Sequence, residues 1–292
     1  MKSALGPVRF IGLLLALTLA ATVLMPASPA AAAIPGRQRV TDTSPYNSSG
    51  NPKVATASCP SGKKVIGMGG YVTDGNGEVV LNELLPDSTS SKVRATAWAD
   101  ESGYGGNWSV TAIAMCADPL PGLQRVSAQS SVDSTDKEVV VTCPSGKKAL
   151  GIGARLAGAE GQVFLDHLEP FAGTSGYLHA SEDATGTSSD WSITLVAMCA
   201  DPVPGLISPA SWSSGDSTSP KSVEAICPAG KVAITAGGLV ASGVGGHGRN
   251  LVMIDRLDLP AALDRGGAGA VEAGGGASFS WHVVSVPQCA AP

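Results

Sequence analysis

The sequence predicts an all-β protein built from three tandem, disulfide-closed repeats with pseudo-threefold symmetry. One motif occurs three times at a spacing of 84 residues, as Cys59-Pro-Ser-Gly-Lys, Cys143-Pro-Ser-Gly-Lys and Cys227-Pro-Ala-Gly-Lys. Each copy closes with a Trp eight residues before a second cysteine, at Trp108 and Cys116, Trp191 and Cys199, Trp281 and Cys289. All six cysteines are thereby assigned, two to a repeat. The runs between them are rich in β-branched residues and turn signals, which is typical of strands.

The repeat extends beyond the cysteines, because a Pro-Gly pair opens each unit at Pro35, Pro121 and Pro204. We therefore predict β repeats over residues 34–120, 121–203 and 204–292, preceded by a signal peptide over residues 1–33. A period near 85 residues exceeds the common solenoid repeats and suits a unit of five or six strands.

The first 33 residues have the pattern of a secretory signal peptide. Lys2 and Arg9 form a basic start, residues 10–24 are an apolar run, and small residues lead to a predicted cleavage site after Ala33. The alternative is an uncleaved anchor helix, and the shortness of the apolar run argues against it. No later run is long enough to span a bilayer. We therefore predict a secreted, extracellular protein without a membrane span in the mature chain.

The strand pattern inside each unit is regular. A β-rich run ends at the first cysteine, and Pro-x-Gly-Lys then supplies a turn. The next strand contains alternating glycines, among them Gly67 and Gly151, which indicate close backbone approach or a bulge. Pro287 lies inside the last closing strand and predicts an edge or bulged strand there. No amphipathic helix is predicted in the mature chain.

Composition excludes several classes of function. With 43% hydrophobic residues the chain is globular rather than disordered. Removal of residues 1–33 takes away Lys2 and Arg9 and changes the formal net charge from −5 to −7. An acidic chain without a basic run is not expected to bind nucleic acid or an anionic membrane surface.

The symmetry leaves two natural pairings for the six cysteines. In one, each unit closes itself, as Cys59–Cys116, Cys143–Cys199 and Cys227–Cys289. In the other, neighbouring units are joined, as Cys116–Cys143, Cys199–Cys227 and Cys289–Cys59. We favour the self-closed set, because the first and last strands of a compact unit are often neighbours. An export signal also makes disulfides a better use of these cysteines than zinc binding or nucleophilic catalysis.

The pattern Cys-Pro-x-Gly-Lys…Gly-x-Gly…Trp-x-Val/Ile…Cys-Ala resembles repeats of secreted actinobacterial proteins of uncharacterised function, over nearly all of residues 34–292. The threefold, disulfide-linked layout is also similar, in symmetry rather than in residues, to the β-prism of vitelline membrane outer layer proteins. A β-prism-like body is therefore expected, with three small β-sandwiches as the alternative. Short Pro-rich joints favour packed units. Neither resemblance implies catalytic residues in this chain.

Enzyme and metal motifs are missing from the sequence. The four histidines show no metal-ligand spacing, and there is no Gly-x-Ser-x-Gly elbow. We therefore predict no catalytic residue, no metal and no cofactor. His167 is expected to face solvent, since its strand position is that of Glu83 and Arg256. Asp166 and Asp255 recur in one strand context and are interpreted as structural rather than as acid–base groups for a glycan.

The aromatic residues fall into two groups. Those that open the closing strands are predicted to be core residues that pack near the disulfides, rather than platforms for sugar rings. They are Trp108, Trp191 and Trp281. Trp98, Trp212 and Tyr104 do not recur and are better candidates for exposed contacts.

These patterns favour a non-enzymatic binding or structural protein that recognises an extracellular glycan or a protein partner. A triplicated unit naturally presents equivalent surfaces for multivalent binding. The alternative is a secreted glycan-acting hydrolase whose carboxylates converge only in three dimensions. Loops that differ between units are expected to supply specificity, at residues 100–107, 182–190 and 242–250. The candidate ligand-binding residues are Trp98, Tyr104, Asp100, Asp190, His247 and Arg249.

Overall fold

The computed structural model describes Met1 and residues 34–171, 173–243, 247–248, 250–274 and 276–292. In these ranges every regular element is a β-strand, as predicted. Residues 2–33, which carry nearly all of the predicted signal peptide, lie outside the described residues. Within the described ranges no helix has the length and apolar character needed to cross a membrane.

The first two predicted repeats contain six strands each. Those of the first repeat are β1 (Gln38–Thr43), β2 (Lys53–Ser58), β3 (Lys64–Thr73), β4 (Val79–Pro86), β5 (Lys92–Ala99) and β6 (Ser109–Ala117). Those of the second are β7 (Gln124–Gln129), β8 (Lys137–Thr142), β9 (Lys148–Ala157), β10 (Val163–Phe171), β11 (Ser175–Glu182) and β12 (Ser192–Ala200).

The third repeat follows the same order, but two of its long strands are each divided in two. Its strands are β13 (Ser211–Trp212), β14 (Lys221–Ile226), β15 (Val232–Thr235), β16 (Gly238–Ser242), β17 (Val252–Asp258), β18 (Arg265–Glu272), β19 (Trp281–Ser285) and β20 (Gln288–Ala290). Pro287 lies in the gap between β19 and β20. Proline has no N–H to donate to a neighbouring strand, which accounts for the gap. The strand is therefore interrupted at the position where the sequence predicts an irregularity.

Eighteen strands form three six-stranded antiparallel sheets, to each of which two repeats contribute three strands, and β15 pairs with β20 in a separate two-stranded sheet. Sheet I, of repeats one and two, has the order β2-β5-β4-β9-β12-β7. Sheet II, of repeats two and three, has the order β13-β19-β16-β10-β11-β8. Sheet III, of repeats three and one, has the order β1-β6-β3-β17-β18-β14. Each repeat thus shares one sheet with each of the other two, and the described residues from Ile34 onward belong to one compact unit.

The junction inside each sheet is short and has the same form three times. Only two residue pairs join the repeats in the backbone register: Glu83–Arg155 and Leu84–Ala154 in sheet I, His167–Leu239 and Leu168–Gly238 in sheet II, Arg256–Tyr71 and Leu257–Gly70 in sheet III. A β-bulge directly precedes each junction, at Asn82, Asp166 and Asp255. A bulge leaves one residue outside the ladder and redirects its side chain. The same polar position is therefore redirected on all three sheets.

The alternating glycines allow strands of different repeats to approach closely, as the sequence predicts. A Cβ atom on Gly67 would lie 1.8 Å from the carbonyl oxygen of Ile234, and one on Gly151 would lie 2.5 Å from the Cα of Gly67. These distances leave no room for any side chain. The glycine strands β3 and β9 and the strand β15 therefore meet backbone to backbone.

The disulfides and the recurrent tryptophans lie where the sequence places them. Each repeat closes itself, through Cys59–Cys116, Cys143–Cys199 and Cys227–Cys289, which confirms the favoured pairing. Trp108, Trp191 and Trp281 are fully buried, at 0–1% exposure, and belong to the core. They cannot serve as a sugar-binding surface.

Candidate functional site

The outer faces of the three sheets can be compared position by position at their junctions. On sheet I, Glu83 lies between Arg94 and Arg155, with a nitrogen–oxygen distance of 3.5 Å to each. On sheet III, the Arg256 guanidinium lies 4.2 Å from the ring centre of Tyr71 and 3.6 Å from the Asp258 carboxylate. Both faces are therefore occupied by charged groups that already have partners in the chain.

Sheet II is different at the same positions. Tyr177 stands at the position of Arg94, and Val140 and Phe171 stand where the first repeat has Thr56 and Asp87. These side chains line a cavity of about 530 Å³ together with His167, Glu169, Ser175 and His247. Val140 and Phe171 are both 57% exposed. The cavity on sheet II is therefore lined by both apolar and polar side chains.

A second cavity of about 500 Å³ adjoins the first, because Glu169 and Phe171 line both. It is lined further by Lys148, Ile207 and Gln288. Gln288 is fully buried, and both polar atoms of its amide lack a hydrogen-bond partner among the described residues. An unpaired buried amide is costly, so a polar group entering this cavity would satisfy it.

A cluster of titratable groups lies beside these cavities, at the bulge of sheet II. Asp166 is fully buried, and its Oδ1 is 2.6 Å from Nδ1 of His179 on the neighbouring strand β11. The Ser181 hydroxyl donates to Asp166 Oδ2 at 3.1 Å. The bulge turns Asp166 towards β11, and the cross-strand partners then satisfy its carboxylate.

Two further histidines complete the cluster. The His247 ring stacks on that of His179 at a centroid distance of 3.9 Å and an interplanar angle of 7°. The His167 ring lies 5.7 Å from that of His247, and His167 Nε2 is 2.8 Å from Glu169 Oε2. Nδ1 of His167 and Nδ1 of His247 are buried, and neither has a hydrogen-bond partner in the part of the chain that the structure describes. Three histidines and a buried carboxylate thus meet on one face.

The environment sets the protonation of the cluster. Burial lowers the pKa of His179, but the hydrogen bond and negative charge of Asp166 outweigh burial and raise this pKa above its usual value. Burial lowers the pKa of His247, and the neighbouring His179 lowers it further. Burial and a hydrogen bond to Glu138 raise the pKa of Tyr177 to about 12. The surroundings of His247 therefore disfavour the protonated form of its ring.

The candidate ligand-binding residues predicted from the sequence do not lie together in the structure. His247 lies in the cluster just described, on the Gly-rich loop after β16. Asp100 lines another cavity, of about 120 Å³, with Asp183 and Thr185. Arg249 lies outside the described residues. Asp100 and His247 therefore belong to two different places.

The other three nominated residues are on the first two repeats. Trp98 is partly exposed in β5 of sheet I. Tyr104 is partly buried against the core, and its hydroxyl accepts a hydrogen bond from Asn76 Nδ2 at 2.6 Å. Asp190 is exposed. Trp212 is 60% exposed and makes an edge contact with His282 at 5.6 Å.

One expectation from the sequence is wrong. His167 does not face solvent: its side chain is 12% exposed and packs edge-on against Tyr177 at 4.7 Å. The ring of His247 lies 5.7 Å from that of His167. Motif spacing could not reveal this cluster, because its members come from β10, β11 and the loop before β17. The available signal was that all four histidines fall in the two repeats that share sheet II.

A pair of carboxylates also converges near the small cavity. The hydrogen bond with Asp100, assisted by burial and by the charges of Asp100 and Glu101, raises the pKa of Glu78 to about 7. A group with such a raised pKa is one acid–base candidate for the hydrolase alternative.

Comparison with known proteins adds no family assignment, since no protein-family model matches the sequence and no curated protein matches it significantly. The resemblance to secreted actinobacterial repeat proteins therefore stays a prediction. The class of protein is defined by its architecture, three interlocked disulfide-closed β repeats.

Proposed function

We propose that this chain is a secreted, non-enzymatic binding protein that holds an extracellular glycan on sheet II. The site is the pair of adjoining cavities that share Glu169 and Phe171, named here the Phe171 groove. The observation that carries the proposal is the contrast between equivalent faces. Sheets I and III fill the junction with ion pairs or a cation–π contact, whereas on sheet II the exposed ring of Phe171 follows the junction at the end of β10.

The apolar part of the groove suits the ring of a sugar. Phe171 lies at the boundary of the two cavities, with Val140 on one side and Ile207 on the other. Ile207 is 44% exposed. Exposed apolar side chains that adjoin one another mark binding surfaces, and aromatic rings contribute large contact areas. A pyranose presents an apolar face of C–H groups to such a ring.

The polar groups of the groove suit hydroxyl groups. The buried Gln288 amide offers both a donor and an acceptor, and neither is used within the described residues. Glu169 and Lys148 add an acceptor and a donor on the same cavity wall. Each cavity, at about 500 and 530 Å³, lies within the range of about 300–1,000 Å³ typical of small-ligand sites. Two adjoining sites of this size accommodate a short oligosaccharide.

Binding is favoured over hydrolysis because the acid–base candidates are elsewhere. Glu78 and Asp100 lie by the cavity of about 120 Å³, which is below the usual size of a ligand site. In the Phe171 groove, Glu169 is engaged by His167 at 2.8 Å. A hydrolase would need a carboxylate pair flanking a glycosidic bond.

A glycan-binding screen with purified protein, followed by product analysis on any polysaccharide bound, tests the proposal. We expect binding without release of sugar, and at least tenfold weaker binding for Phe171→Ala. Trp212→Ala is the matched control, because Trp212 is equally exposed on sheet II but does not line the groove. Enzymatic product release, or unchanged binding by Phe171→Ala, would contradict the proposal.

Secretion is tested separately. The basic start and apolar run of residues 1–33, together with three disulfides, favour export to an oxidising compartment. N-terminal sequencing of protein from the culture medium of an expressing host should find a start near residue 34. Retention of the whole chain inside the cell would contradict export.

A further inference from the structure

We propose that Asp166, His179 and His247 form a binding site for one divalent transition-metal ion on sheet II. Donor atoms of these three residues lie within 4.8 Å of one another. A tetrahedral zinc ion with bonds of about 2.0–2.2 Å spaces its ligand atoms about 3.3–3.6 Å apart. Closing the site therefore requires the two stacked imidazole rings to rotate relative to each other, because a ring nitrogen binds a metal in the plane of its ring.

The Asp166–His179 contact prepares two ligand atoms. Nδ1 of His179 lies 2.6 Å from Asp166 Oδ1, so a metal ion that displaces the shared proton can take both atoms as ligands. The buried Asp166 carboxylate also supplies the negative charge that a divalent cation requires.

His247 supplies the second imidazole. Its Nδ1 is buried and has no partner within the described ranges, and its ring stacks on that of His179. Unpaired buried polar atoms are uncommon and call for an explanation. Imidazole nitrogen suits zinc, copper, nickel and iron, whereas calcium and magnesium take oxygen ligands. The ligand set therefore selects a transition metal.

The fold does not require these histidines. The bulge occurs on all three sheets, but the cross-strand residue equivalent to His179 is Thr96 in sheet I and Gly269 in sheet III. His247 lies on the Gly-rich segment that only the third repeat carries. The bulge therefore forms on the other two sheets without residues equivalent to His179 and His247.

The chain is well suited to a direct binding test, because all six cysteines are in disulfides and no thiol competes for metal. Tag-free protein stripped with chelator should be titrated with Zn²⁺ by calorimetry, and the bound metal counted by elemental analysis. We expect one ion per chain. His247→Ala should lower the affinity at least tenfold, and Asp166→Asn by about 10- to 100-fold.

His282→Ala is the matched control and should bind zinc as the unchanged protein does. His282 is the one histidine outside the cluster and bonds to the Ser213 carbonyl oxygen at 2.9 Å. Cu²⁺ added in place of zinc should show nitrogen coupling in its electron paramagnetic resonance spectrum, and His247→Ala should reduce that coupling.

Equal zinc affinity for His247→Ala and the unchanged protein would overturn the proposal, as would binding that His282→Ala abolishes. His247 lies in a loop, so its variant is decisive even if His179→Ala or Asp166→Asn fails to fold. The inference goes beyond glycan binding and can fail independently of it. Phe171→Ala should lose glycan binding while retaining the metal.

Discussion

The ammonium group of Lys53 lies 4.3 Å from the ring centre of Trp108, inside the protein. The same contact recurs between Lys137 and Trp191 at 4.4 Å and between Lys221 and Trp281 at 4.2 Å. These lysines are only 3–7% exposed. Backbone carbonyl oxygens accept hydrogen bonds from each ammonium group, for Lys53 those of Pro45, Asn47 and Trp108. Each repeat therefore ties its first segment to its closing strand through one buried cation.

Replacement of this cation should destabilise the fold. Lys53→Met keeps the length of the side chain but removes the ammonium donor from three carbonyl oxygens. We expect a loss of about 1–3 kcal/mol in the free energy of unfolding. Urea denaturation measures it, with the exposed Lys92→Met as the control. Equal losses for the two variants would show that the buried contact is not stabilising.

The close contact between glycine strands gives a second prediction. A Cβ at residue 67 would overlap the Ile234 carbonyl oxygen, so Gly67→Ala must force the backbones of two repeats apart. We expect a cost of about 1–3 kcal/mol or more. Gly105→Ala is the control, because nothing lies within 4 Å of its added Cβ. A Gly67→Ala variant with unchanged thermal stability would contradict the close approach.

Glu78 should make stability depend on pH. An ordinary Glu titrates near 4.5, whereas Glu78 in the folded protein titrates near 7. Between these values the folded state binds more protons than the unfolded state, so this group's contribution to stability falls as pH rises. Glu78→Gln cannot ionise and should raise the melting temperature at pH 8 more than at pH 4.5. The exposed Asp190→Asn should show no such difference, and a pH-independent effect of Glu78→Gln would contradict the assignment.

The disulfides should contribute strongly to stability. Cys143 and Cys199 are 56 residues apart, and a bridge over a loop of this length is worth about 4 kcal/mol in the chain-entropy model. The double variant Cys143→Ala/Cys199→Ala should therefore lose about 2–5 kcal/mol in urea denaturation. The other two bridges remain as internal references. A loss below about 1 kcal/mol would mean that the strands hold this repeat closed without the bridge.

Particular residues show how far the sequence could predict the site. The lysines on the tryptophans had a visible signal, since Lys53, Lys137 and Lys221 each precede the first cysteine of a repeat by six residues. That signal was overlooked because a lysine is usually an exposed residue. The histidine cluster had no comparable signal. Ligand-spacing rules apply within one element, whereas His179 and His247 meet across two repeats.

Sequence alone determined the number of repeats, the assignment of two cysteines to each, the β class and the strands that contain the glycines. These properties depend on local chemistry: turn residues, β-branched runs and a fixed spacing. Only the tertiary structure decided that neighbouring repeats share each six-stranded sheet. It also decided that sheet II carries the Phe171 groove and the histidine cluster. Junctions such as Leu84–Ala154 involve two residue pairs between distant strands. Pairing of this kind depends on which strand edges remain open after each repeat has formed, and no local pattern records that.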